Sequence, residues 1–142
     1  MTATTTTARS TTATTARPGR TASIALWVLQ VLLAAVFVFA AVPKLTGDPM
    51  ALAGFELMGL GAAGMYVVGA LEVAGAIGLL VPRLRGLASS CQILLMIGAV
   101  VSTLIFMPAA MVVLPAVVLV LVGVVAYGRR HETAALFASI RR

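Results

Sequence analysis

The chain has 142 residues, of which 61% are hydrophobic and only 10% charged, with a mean hydropathy of +1.12. Soluble domains carry about 25% charged residues, so this composition excludes a water-soluble fold and leaves length for one membrane domain. The net charge of +6 does not read as a nucleic-acid surface, because the basic residues flank hydrophobic runs and do not interleave with aromatics. One cysteine, Cys91, and one histidine, His131, are too few for a zinc or haem site within one chain, and they leave no pair for an internal disulfide; no metal site is expected.

Residues 1–22 form a Thr/Ala-rich tail with Arg9, Arg17 and Arg20, expected to be disordered because it has no apolar periodicity. The domain 23–128 follows. Its first apolar run, 24–42 (IALWVLQVLLAAVFVFAAV), has nineteen residues, longer than the about 7–15 of a signal-peptide core, and reads as a retained span. In "GDPMALAGFELMGLG", Asp48 is a helix cap with Pro49 at the first helical position. This predicts a short helix over 49–58 on the outer surface. The second span is 63–81. The apolar stretch 87–127 is roughly twice the ~20 residues that cross a bilayer, so it turns back at Pro108 into spans 87–106 and 109–127. Pro115 is expected to kink the last of these. Residues 129–142 form a basic tail in which Leu136, Phe137 and Ile140 share a helical face. That tail is either an interfacial helix or frayed.

Nine of the ten basic residues lie on one side of these spans: the three of the tail, Arg83 and Arg85 between spans two and three, and Arg129, Arg130, Arg141 and Arg142. Only Lys44 lies on the other side. The positive-inside bias makes both termini cytoplasmic. The expected fold is therefore an all-α integral membrane protein: a four-transmembrane-helix bundle, N-in and C-in, with the short helix outside between spans one and two.

Within "VVGALEVAGAIGLL", Glu72 stands alone among apolar residues and glycines. Counted from Ala63 it lies roughly 14 Å deep, near the midplane, where an ionised side chain costs at least about 2.5 kcal/mol. Its helical face carries Gly69, Gly75 and Ala76, and Gly78 belongs to a neighbouring small row. Such residues let helices approach in lipid and turn Glu72 towards protein. At the same depth Gly98, a further small packing position, and Ala99 make room in span three. Ser102 and Thr103 lie further out, and Gln30 of span one further in. Lys44 is the only outer cation, and its stem reaches Glu72 directly only if span two starts near Tyr66 or tilts. These residues suggest an outward-opening polar pocket with Glu72 as its floor, Lys44, Ser102 and Thr103 towards the mouth, and Gln30 below. The alternative is an uncharged, hydrogen-bonded Glu72 that only joins helices. Five methionines near the outer side (Met50, Met58, Met65, Met107 and Met111) read as gap-fillers rather than soft-metal ligands.

The pattern resembles the DoxX and DoxX-like family of small four-helix membrane proteins. Its carriers are "AAVPKL", with Lys44 and Leu45, and "GALEVAGAIGLLVPR", with Glu72, Gly75, Gly78, Leu79, Leu80, Pro82 and Arg83. The turn "VPRLRGLASS" is similar too. Ala41 stands where some members have glycine, and "YGRRHETA" replaces a Gly-rich acidic ending, which marks a looser DoxX-like branch. The resemblance implies an inner-membrane protein, tied in some members to quinone-linked oxidation or oxidative-stress defence and often a subunit. For a chain with no redox-active pair, that means an accessory subunit with a redox-protein partner, its pocket holding a quinone or a lipid. Two other readings stand beside it. One is a structural or assembly protein. The other is a small proton-coupled transporter using Glu72, which needs a homo-oligomer to make a path.

Overall fold

Between Ile24 and Val42 the sequence has one polar side chain, Gln30. With no water to satisfy its peptide groups, such a run closes its hydrogen bonds within itself as a helix. The structure, a computed structural model, describes residues 20–130. The segments before and after, including Arg9, Arg17, His131 and the apolar face of Leu136, Phe137 and Ile140, lie outside the described residues. Helix α1 is Arg20–Thr46. It begins inside the stretch expected to be tail, and it runs on through Pro43 rather than stopping at Val42. Gly47, at φ 74°, ends it. The next N–H, of Asp48, donates to the Pro43 carbonyl at 2.9 Å, the closing bond of a Schellman motif that a left-handed glycine permits.

Asp48 also starts the next element. Its Oδ1 accepts from the N–H groups of Met50 (2.9 Å) and Ala51 (3.0 Å), with Pro49 at the position where a missing N–H costs nothing. This opens α2, Pro49–Leu57. Helix α3 is Gly61–Leu80 and α4 is Arg85–Phe106. After Met107 and Pro108 a 3-10 turn, Ala109–Val112, leads into α5, Val113–Gly128. Pro115 falls in the first turn of α5, where no intrahelical N–H is owed. The departure from α geometry therefore lies one turn earlier than the expected kink, in the 3-10 segment.

Four of these helical segments are long and apolar enough to cross a membrane: Arg20–Thr46, Gly61–Leu80, Arg85–Phe106 and Ala109–Gly128. They form a ring in which α1 packs on α3, α3 on α4, α4 on α5 and α5 back on α1, while α2 lies mainly against α3. The core is thin: Leu33 and Phe37 from α1, Leu79 from α3, Met96 from α4, and Val122 and Val125 from α5. Only 17% to 39% of each span's most apolar window is buried inside the bundle. Side chains such as Phe39, Leu94 and Leu114 point outwards and are exposed. A surface this apolar requires lipid as its solvent.

Candidate functional site

The site is set by how closely α1 and α3 approach. A Cβ at Gly69 would meet the Lys44 Cβ at 3.0 Å and the Leu45 side chain at 3.1 Å. The absent side chain is thus what brings the last turn of α1 against α3. Because α1 continues past Pro43, Lys44 is helical, and its Cα–Cβ bond tilts back towards the helix N-terminus. The ammonium therefore runs down α1 towards Glu72, one turn further along α3 from Gly69. Lys44 Nζ donates to Glu72 Oε1 and Oε2, both at 2.9 Å, and to the Ala40 carbonyl at 2.8 Å. The two side chains are 18% and 5% exposed. Helix α3 starts at Gly61, so the pairing needs no shift of its start towards Tyr66.

The pair forms part of the wall of a cavity of about 350 Å³ between α3 and α4. From α4 come Gly98, Ser102 and Thr103, from α2 Phe55, and from the residue that ends α2 Met58. Gly98 packs against nothing: a Cβ there would find no atom within 4 Å, so it widens the cavity instead of seating a helix. Thr103 Oγ1 donates to the Ala99 carbonyl at 2.7 Å, which fixes the direction of its hydroxyl. The three ammonium protons of Lys44 are all engaged, whereas the Glu72 carboxylate has acceptor capacity left. A molecule entering here is best recognised by a hydrogen-bond donor, such as a hydroxyl, presented to Glu72.

Gln30 does not line this cavity. It is 1% exposed within the bundle, and neither amide atom has a hydrogen-bond partner among the described residues. Gly75 lies under the Gln92 side chain and Gly78 against Ala88, so both seat α4. Gln92, itself 1% exposed, lines a second cavity of about 520 Å³ with Leu71, Ala74, Gly75 and Cys91. Leu94 and Leu95 line both cavities. Neither Gln92 nor Phe55 is among the pocket residues expected from the sequence. Phe55 enters because the Asp48 cap fixes where α2 begins, and hence which of its faces covers α3 and α4; only the cap was readable. Among the described residues no group of three His, Cys, Asp or Glu is gathered closely enough to hold a metal ion. Of the five methionines near this end, Met65 is fully buried and Met58 lines the cavity.

A family model described as the DoxX-like family matches residues 28–125, which includes four complete or nearly complete apolar spans, the Lys44–Glu72 pair and both cavities. Neither the curated proteins nor the solved structures gave a match.

Proposed function

The chain belongs to the DoxX-like family, and from that premise we propose that it is a non-catalytic subunit of a redox or oxidative-stress complex in the cytoplasmic membrane. Its role is to hold a small hydroxyl-bearing, largely apolar molecule, a quinol or a lipid, against Glu72. Both termini are cytoplasmic on this reading, α2 lies along the outer surface, and the cavity opens outwards beneath it. Supporting the orientation is the distribution of the basic residues, nine on one side and Lys44 on the other. The observation that carries the reading is the buried Lys44–Glu72 pair on the wall of a 350 Å³ cavity that also presents Ser102 and Thr103. Intramembrane ionisable residues mark functional paths by default, and here the acid keeps acceptor capacity on the cavity side.

Native mass spectrometry of the full chain in a mild detergent tests this. The wild type is expected to retain a quinol-sized or lipid-sized adduct, or a protein partner, that Glu72→Gln loses while keeping its helix content by circular dichroism. Two bare spectra would overturn the proposal. One observation favours a second reading: the pair is complete without a ligand, because each ammonium proton of Lys44 already has an acceptor. The pair would then serve only to join α1 to α3. A Lys44→Met/Glu72→Met chain that folds and supports full function in cells would establish that reading instead.

A further inference from the structure

The second cavity between α3 and α4, about 520 Å³, differs in chemistry from the one walled by Lys44 and Glu72. Its lining is apolar except for Cys91 and the Gln92 amide. Gln92 is 1% exposed, and its Nε2 has no hydrogen-bond partner among the described residues. The amide fits only because α3 has no side chain opposite it. A Cβ at Gly75 would collide with the amide carbon, nitrogen and oxygen together. A side chain is thus missing from α3 where a polar one enters from α4.

A buried N–H without an acceptor costs free energy, so the acceptor has to come from whatever fills the cavity. A water molecule held there needs two to four polar partners, and the wall offers one amide and a weakly bonding thiol. Leu71 and Leu94 are 52% and 70% exposed, and Cys91 is exposed as well, so the cavity opens on the lipid-facing surface. Its occupant arrives from the bilayer and is largely apolar. The terminal torsion of a glutamine is soft, which lets the amide turn its N–H groups to such a molecule. A carbonyl oxygen accepts without bringing a donor that needs a partner of its own, as a hydroxyl does. Depth sets phospholipid ester carbonyls aside. Gln92 lies seven residues beyond Arg85, about 10 Å of helix rise from a charge that belongs at the interface, where the ester groups also stay. We propose that this cavity binds an apolar ketone dissolved in the hydrocarbon layer. Its carbonyl oxygen accepts from Gln92 Nε2, and its hydrocarbon lies against Leu71, Leu94 and Leu95. The Glu72 cavity offers an acceptor and selects a hydroxyl; this one offers a donor and selects a carbonyl.

Benzophenone, itself an apolar ketone, inserts under near-ultraviolet light into C–H bonds beside its carbonyl. The full chain in phosphatidylcholine nanodiscs is irradiated with it, and the adducts are mapped by peptide mass spectrometry. Labelling of Leu71, Leu94 and Leu95 is expected to exceed that of Phe39 and Leu114, which are at least as exposed to lipid, by several-fold. Dipentyl ketone should compete, whereas undecane and dipentyl carbinol should not. Gln92→Leu should lower labelling in the cavity to the level of Phe39. Because it removes an amide that has no partner, it should also unfold at no lower temperature than the wild type. Even labelling of all these positions in the wild type overturns the proposal, as do competition by undecane and undiminished labelling of Gln92→Leu. Competition by the carbinol would assign the cavity to a hydroxyl and overturn the ketone as occupant. A lower thermal midpoint for Gln92→Leu would mean that the amide is satisfied within the bundle, and that too overturns it.

Discussion

Lys44 and Glu72 make one ion pair but stand in unequal surroundings. Lys44 is in the last turn of α1 with an 18% exposed side chain, and its four-carbon stem can swing out along the helix end. Glu72 is in the middle of α3, 5% exposed, on a two-carbon stem. Removing one partner of a buried pair costs about 3–5 kcal/mol when the other charge is stranded. Stranding is possible for the acid and avoidable for the lysine. Lys44→Met is therefore expected to lower the thermal midpoint in detergent clearly more than Glu72→Gln, and Lys44→Met/Glu72→Met should recover most of the loss. Equal losses for the two single variants would mean that the lysine is as confined as the acid. The sequence supplied both residues and the burial of one. It did not supply their contact, because that depends on α1 remaining helical past Pro43 and on its register against Gly69.

At the scale of elements, the glycines of α3 and α4 look alike in sequence and differ in space. A Cβ at Gly78 would lie 2.6 Å from that of Ala88, a contact that no side-chain rotation relieves, so the helices must part. Overpacking of this kind costs about 1–3 kcal/mol. At Gly75 the clash is with the far end of Gln92, which can rotate away, and at Gly98 there is open space. Thermal unfolding should accordingly rank Gly78→Ala as the most damaging, Gly75→Ala as milder and Gly98→Ala as close to neutral. Helix α2 gives a second test. Asp48→Ala removes the two cap hydrogen bonds, worth about 1 kcal/mol, from a nine-residue helix that carries Phe55 and Met58 over the cavity. The expected result is weaker retention of whatever the cavity holds, with little change in unfolding of the bundle. Apolar runs, the cap and the Pro108 turn were legible because each is written within a few neighbouring residues. Gly98 as a cavity wall, Gln30 as a buried amide outside it, and the covering of the cavity by α2 were not. Each depends on the phase of one helix against another, and in lipid an apolar side chain signals burial poorly, since outward-facing positions are just as hydrophobic.

Across the whole molecule, charge is separated along the bundle. The Lys44 end holds the three described acids, and its single cation is already paired with Glu72. The other end holds arginines and, among the described residues, no acid. Orientation is set by the Lys and Arg near the ends of the spans, nine on one side and Lys44 on the other. In a Cys91→Ser background, a cysteine at Thr46 should therefore react with a membrane-impermeant maleimide on intact cells, while one at Arg83 should react only after permeabilisation. The reverse pattern would invert the bundle and with it the outward opening of the Lys44–Glu72 cavity. Adding Glu72→Gln separates insertion from pairing. It frees Lys44 at its end of the bundle but still leaves nine basic residues facing one, so the labelling pattern should not change. If it does change, the ion pair forms early enough to direct insertion, and Glu72 acts on topology before it acts on any ligand.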